Sequence, residues 1–258
     1  MGINPTSSAD ETADPASSAV TPHSLGKTLF LHLVPGVANI VATVVGLAVL
    51  WNPSLPPELV YGVFTNVFVL IPIQFGYLYY LAKKNNNPGW SLKGIVVYTR
   101  PLSWIRYLIW IPAILIPTAF IFIVLESLTQ WLETLSIGIN IFSKYQMTAT
   151  SDVAFIVVIA HISLSGILVP KSEELYFRGF LLPRMPKEFG RFKPVAHSFL
   201  FAVYHFDTPW MIPVRTIGIL PLIFTTIHTR SVRPAIFAHC SVNLANFLDA
   251  ASKRIGTP

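Results

Sequence analysis

Long apolar runs, broken by short basic or proline-rich interruptions, make up most of this chain. A membrane-crossing helix needs roughly 20 mostly apolar residues. The first such run is Thr28 to Trp51, closed by Asn52-Pro53. The second is Leu59 to Ala82, closed by Lys83-Lys84 and an Asn-Asn-Asn-Pro stretch. The third is Ser103 to Leu125, with Arg106 near its start placed to snorkel to the interface. The amphipathic stretch Gln130 to Asp152 is expected at or outside the membrane surface. A fourth span starts near Val153 and is expected to continue as one helix past a pair of glutamates to Leu182, where Pro183 and Pro186 end it. Val195 to Phe206 is a short fifth segment, and Asp207-Thr208-Pro209 reads as a turn. A sixth runs from Trp210 to Thr226 and a seventh from Val232 to Phe247. The pattern predicts an all-α, polytopic transmembrane helical bundle of about seven segments, with no internal repeat and no second domain.

Composition agrees. The 258 residues are 53% hydrophobic and 12% charged, against roughly 25% charged in a soluble domain. Residues 1–25, rich in Ser, Thr, Ala and Pro with three acidic residues, read as a disordered tail. They have no signal-peptide core. Met1-Gly2-x-x-x-Thr6 fits a loose myristoylation pattern, but with Pro5 inside it a chance match is the better reading. The membrane domain then covers 26–258, with its motif-bearing core at about 153–250. The single Cys240 excludes an internal disulfide.

The net charge of +6 lies in loops between apolar runs, where topology rather than nucleic-acid binding accounts for it. Lys83, Lys84, Lys93 and Arg100 follow the second run; Arg184, Lys187, Arg191 and Lys193 follow the fourth; Arg230 and Arg233 follow the sixth. The loops Asn52–Glu58 and Asp207–Pro209 have no Lys or Arg. A multi-pass protein with a cytoplasmic N-terminus and its C-terminus across the membrane is expected; Lys253 and Arg254 run against that orientation.

Three polar patterns interrupt the apolar runs: Glu173-Glu174-x-x-x-Arg178, Phe201-x-x-x-His205 and His239-x-x-x-Asn243. Ionisable groups at bilayer depth are costly and point to function. At roughly 1.5 Å per residue, Glu173, His205 and His239 each lie roughly 12–15 Å from the same end of their segments, so three helices bring polar groups to one level. Glu174 and Arg178 share a helix face and can pair. Glu173 is rotated about 100° away and can face a cavity. Phe201 shares a face with His205, and His239 with Asn243.

These residue types suit hydrolysis of a peptide bond. A carboxylate within hydrogen-bond reach of a water can take its proton; Glu173 is the candidate, with His205 holding and polarising the water. His239 and Asn243 are donors of the kind that stabilise an oxyanion. Two histidines and a carboxylate (Glu173, His205, His239) also make a possible zinc set with an open position. Both chemistries stay open at this stage. Phe201 and Tyr204 read as cavity wall. His32, His161, His197 and His228 read as packing or interhelical hydrogen-bonding residues.

The stretches EELYFRGFLLPRM (Glu173 to Met185), FAVYHF (Phe201 to Phe206) and HCSVN (His239 to Asn243) resemble the CAAX protease and bacteriocin-processing (CPBP) family of intramembrane proteases over roughly the last hundred residues. The resemblance implies a membrane-embedded endopeptidase. In it Glu173 and His205 activate water, His239 and Asn243 stabilise the oxyanion, and Glu174–Arg178 is structural support. Its partners would be the lipid bilayer and a membrane-embedded or lipidated protein substrate. The wording FRGFLLPRM and YHFDTPW is closer to the broad, mostly bacterial branch than to the eukaryotic CAAX protease, so prenylated and unprenylated substrates both stay open.

Other proteases fit less well. Ser163 and Ser165 lack the first Gly of a GxSG pattern, and Asp152, Asp207 and Asp249 sit at segment ends without GxGD. HExxH is absent. The alternative of another class is a non-catalytic membrane scaffold or a proton-coupled transporter built on the same buried groups.

Overall fold

The computed structural model describes residues 20–50, 60–135, 159 and 163–255. Helix α1 spans Leu25–Leu50 with Pro35 inside it. Helix α2 is a continuous run of wide turns over Val60–Leu70 and Pro72–Gly76, followed by regular α-turns at Tyr77–Lys84. Helix α3 (Trp104–Val124) contains Pro112 and Pro117; neighbouring helices and local adjustments make such prolines tolerable in membrane helices. Helix α4 (Glu126–Leu135) has no buried residue. It overlaps the start of the expected amphipathic stretch, whose remainder, 136–152, lies outside the described residues.

Helix α5 runs through Leu164–Leu168, Val169–Glu173 and Glu174–Leu181 and tightens at Leu182–Arg184. It carries the glutamate pair through without a break, as the sequence predicts; the Val153 end of that span lies outside the described residues. The turns at Glu174–Leu181 are of the wide π type, a form that often accompanies functional sites. Helices α6 (Lys193–Tyr204), α7 (Ile212–Gly218), α8 (Leu220–Thr229) and α9 (Arg233–Ile255) complete the bundle. Most of the expected 1–25 tail also lies outside the described residues.

The fold is all-α, but the expected count of about seven spans is overturned. Among the described residues four helices are long and apolar enough to cross a membrane: Leu25–Gly46, Phe64–Lys84, Trp104–Val124 and Pro209–Thr229. The fifth expected segment, α6, has 12 residues, roughly 18 Å of helix against a hydrocarbon core of roughly 30 Å. The fourth and seventh fail for a different reason. Helix α5 carries Lys171, Glu173, Glu174 and Arg178, and α9 carries Arg233, His239, Asn243, Asn246 and Asp249. The polar groups that mark these helices as functional also remove them from the class of apolar spans. Leu108, Ile116, Phe120 and Ile123 on α3 and Phe30, Val41 and Val45 on α1 are exposed, apolar surface of the kind that suits contact with lipid.

The interior is aromatic around α5. Leu78, Tyr176, Phe177, Leu181, Phe201 and Tyr204 form its main cluster. The segment 95–100 crosses one end of the bundle: Val97 N–H donates to the Gly179 carbonyl at 2.9 Å, Val232 N–H to Tyr98 at 2.9 Å, and Arg100 N–H to Arg230 at 2.9 Å. Three of the basic groups singled out in the sequence therefore share that end. A buried histidine pair ties α1 to α6. His32 Nδ1 lies 2.8 Å from the Thr28 carbonyl, which can only accept, so Nδ1 carries the proton and Nε2 accepts from His197 Nδ1 at 2.9 Å. His228 rests against Trp110 with ring centroids 5.1 Å apart. His161 lies outside the described residues.

Helix α1 meets the C-terminal end of α6 at Gly36, where a Cβ would lie 2.0 Å from the Tyr204 carbonyl oxygen. Only glycine permits that approach, because the obstacle is backbone. Gly36→Ala is expected to lower stability by about 1–3 kcal/mol, the usual cost of overpacking, seen as a reduced Tm in detergent; an unchanged Tm would contradict the closeness of this crossing.

Candidate active site

Two adjacent carboxylates on α5 point in different directions. Glu174 is fully buried and lies 3.2 Å from the Arg178 guanidinium one turn on. Arg178, 1% exposed, stacks its guanidinium over the Phe201 ring of α6 at 3.9 Å, which adds cation–π attraction in a desolvated setting. Glu173 faces a cavity of about 670 Å³ that also receives Tyr204, His205, His239 and Asn243. The pairing of Glu174 with Arg178, and the separate aim of Glu173, follow the faces read from the sequence.

Helix α9 brings His239 to both carboxylates. Its Nδ1 is 2.9 Å from Glu174 Oε1, and its Nε2 is 3.8 Å from Glu173 Oε2. An ionised carboxylate only accepts, so Nδ1 carries the proton. That hydrogen bond fixes the ring and turns Nε2 toward Glu173. At 3.8 Å the second contact is too long for a hydrogen bond, and a proton crosses it only after the pair tightens or through a water.

Glu173 Oε1 accepts from the Tyr204 hydroxyl at 2.9 Å. The same hydroxyl accepts from the Gln74 amide of α2 at 3.1 Å, and Gln74 Oε1 accepts from Ser172. A chain of hydrogen bonds across three helices thus fixes one oxygen of Glu173 and leaves Oε2 with only His239 Nε2, 3.8 Å away. From the sequence Tyr204 reads only as wall, and local spacing singles out neither Gln74 nor Ser172. The available signal was an amide inside an apolar run, since polar groups at that depth seek partners.

His205 stands just past the end of α6 rather than within it; its backbone φ −83°, ψ 67° has left the helix. Its ring packs on Phe201 and Tyr204 with centroids 5.1 and 4.6 Å away, and it lines the cavity. Asn243 donates to the Ser165 carbonyl at 3.0 Å, while Ser165 Oγ accepts from Asn66 of α2 at 2.8 Å. An amide has two N–H donors, so Asn243 keeps one for the cavity. Ser165 lines the same cavity, held between two asparagines. Ile114 and Leu115 of α3 and Leu222 of α8 add apolar lining. The chamber therefore has both apolar and polar lining. It can hold a hydrophobic chain segment while a carboxylate, imidazoles and an amide face one bond.

Among the described residues no three His, Cys, Asp or Glu side chains converge as metal ligands. His239 spends Nδ1 on Glu174, and Tyr204 occupies one oxygen of Glu173. His239 Nε2, Glu173 Oε2 and the His205 ring are the donors that would hold a metal, which would polarise a carbonyl or a bound water there.

Residues 155–245 match the family described as type II CAAX prenyl endopeptidase Rce1-like, an extent that takes in all three motifs. No curated protein and no solved structure matches the chain.

Because Glu174 and Arg178 compensate one another out of water, Arg178→Met is expected to cost about 3–5 kcal/mol, the usual loss when one partner of a buried pair is removed. The double variant Glu174→Gln/Arg178→Met should recover at least half of that in Tm measurements. Losses that simply add would contradict the pairing.

Proposed function

We propose that this chain, which carries a CAAX-protease domain of the Rce1-like type at residues 155–245, is an intramembrane endopeptidase acting on membrane-associated proteins through a water activated by Glu173. The observation that carries the reading is the buried Glu173 carboxylate, tethered at Oε1 by Tyr204 and open at Oε2 to a chamber shared with His205, His239 and Asn243.

In this reading a water bound at Glu173 Oε2 and oriented by His205 loses a proton to the carboxylate as its oxygen forms a bond to the substrate carbonyl carbon. The carbonyl oxygen becomes an oxyanion. The free N–H of Asn243 donates to it, and His239 can do so only when Nε2 is protonated as well, because its Nδ1–H is held by Glu174; removal of one such donor commonly costs about 10²–10³ in kcat. The intermediate collapses as the C–N bond breaks, and Glu173 returns its proton to the leaving amine. Glu174 and Arg178 hold the His239 ring and the α5–α6 contact and touch no reacting atom. Tyr204 is a positioning residue, acting through Glu173.

The apolar wall suits either a prenyl chain or a hydrophobic peptide stretch; a lipidated CAAX-type protein is the substrate class the domain suggests. The basic end of the bundle is assigned to the cytoplasm by the bias of Lys and Arg toward that side, which puts the N-terminus there.

The test is cleavage of a mixed panel of prenylated and unprenylated membrane peptides by purified protein in detergent. Glu173→Gln is expected to lose at least about 10²-fold in kcat, as for removal of a general base, with an unchanged Tm. Tyr204→Phe is expected to lower kcat by about tenfold with little change in KM and to shift the acidic limb of the pH–rate profile, which a purely structural role would not do. A chelator arm on wild type reports whether a metal held by Glu173, His205 and His239 takes part. A folded Glu173→Gln variant that cleaves like wild type would overturn the reading in favour of a different catalytic group, and cleavage by neither protein across the panel would favour a scaffold or transporter.

A further inference from the structure

A second cavity, of about 990 Å³, opens at the basic end of the bundle. Its wall is built from the segment leading into α1, the last turns of α2, the loop at 93–99 and the end of α5. Two of these are the ends of candidate membrane spans, since one span begins at Leu25 and another ends at Lys84. The cavity therefore lies at the height of the lipid headgroups. Glu173 lies eleven residues from Arg184 along α5, roughly 15 Å deeper, so the two chambers are distinct.

Among the described residues the charge in this cavity has one sign: Lys27, Lys84, Lys93 and Arg184 line it, together with His23, and no carboxylate does. Arg184 is fixed in place: it donates to the carbonyls of Ile95 at 3.0 Å and Phe180 at 2.9 Å, and its guanidinium lies over the Phe180 ring at 4.3 Å. His23 N–H donates to the Arg184 carbonyl at 2.8 Å, which ties the segment before α1 to the end of α5. Burial, and to a lesser degree the nearby Lys27 and Arg184 cations, lowers the pKa of His23 to about 4. The three lysines are exposed at the rim, free to close on a ligand. Tyr77, Leu81 and Phe180 supply apolar wall beside them. A fixed guanidinium, three exposed ammonium groups and an apolar flank match a phosphate group attached to something greasy. Basic pockets between membrane helices at this level commonly bind anionic headgroups, and guanidinium–phosphate hydrogen bonds are among the stronger ones.

We infer that this cavity is a phosphate-binding site at the membrane boundary, taking the headgroup of an anionic phospholipid or a free phosphate through Arg184, Lys27, Lys84 and Lys93. Nothing in the proposed peptidase chemistry requires it, and binding there can be measured without any cleavage assay.

The test uses the full chain in detergent and native mass spectrometry with dioleoyl phosphatidic acid, with dioleoyl phosphatidylcholine as the neutral control. Phosphatidic acid is expected to bind at least about tenfold more tightly than phosphatidylcholine, and the triple variant Lys27→Gln/Lys84→Gln/Lys93→Gln to weaken it by about tenfold or more. The variant Lys187→Gln/Arg191→Gln, at the same end but outside the cavity, is expected to change it less than about twofold. A parallel titration with inorganic phosphate separates the sources. Displacement of the lipid by millimolar phosphate assigns the site to free phosphate, and persistence of the lipid assigns it to the headgroup; either supports the site. The single change Lys93→Gln, in an exposed loop, gives the same readout with a smaller loss if the triple variant is unstable. Equal affinity of wild type and triple variant, or an equal loss in the control variant, would overturn the inference.

Discussion

Two neighbouring carboxylates inside a membrane bundle are the constraint on which the rest of this structure turns. A bare carboxylate out of water is prohibitively costly, and two in succession repel. The fold separates their tasks. Glu174 is given a permanent cation, Arg178, and a donor from α9, His239 Nδ1. Glu173 is given only a neutral hydroxyl, Tyr204, at one oxygen, and a more distant imidazole at the other. One carboxylate is neutralised and rigid, and the other is held in place with an oxygen in reserve. That asymmetry is what makes the site suited to moving a proton.

The same constraint orders the helices around it. α5 and α9 must face each other for His239 to reach Glu174. α6 must lie across α5 so that Phe201 covers Arg178 and Tyr204 meets Glu173. Gly36 lets α1 close over the end of α6, and Gln74 of α2 anchors the Tyr204 hydroxyl. The apolar helices α1, α2 and α3, with the α7–α8 run, pack beside the motif helices, which carry the polar groups and so, among the described residues, leave four helices that qualify as spans.

Much of this was legible in the chain. The runs at Thr28, Leu59, Ser103 and Trp210 lie within a few residues of the four apolar spans, because long uninterrupted hydropathy has no other physical outlet. The four-residue spacing of Glu174 and Arg178 gave their pairing directly. The span count was not legible from apolar runs alone, since α6 is too short and α5 and α9 too polar to cross as ordinary spans. Tyr204 was hidden for another reason. A tyrosine beside a histidine reads as wall until a residue 130 positions away in the chain, Gln74, is seen to share its hydroxyl. Likewise Asn243 reads as a free donor until Ser165 of α5 takes one of its N–H groups. Local spacing reveals faces; partners from distant segments appear only in the folded bundle.

The most direct test of Glu173 as the base that activates water is single-turnover cleavage of a membrane peptide in water enriched in oxygen-18, followed by mass spectrometry of both the product and the protein. If Glu173 acts as general base, one labelled oxygen appears in the new product carboxylate and none in Glu173, and a folded Glu173→Gln protein forms labelled product at least about 10²-fold more slowly. Label in the Glu173 side chain would mean that it attacks the substrate itself, and labelled product from the Gln variant at the wild-type rate would place the chemistry elsewhere.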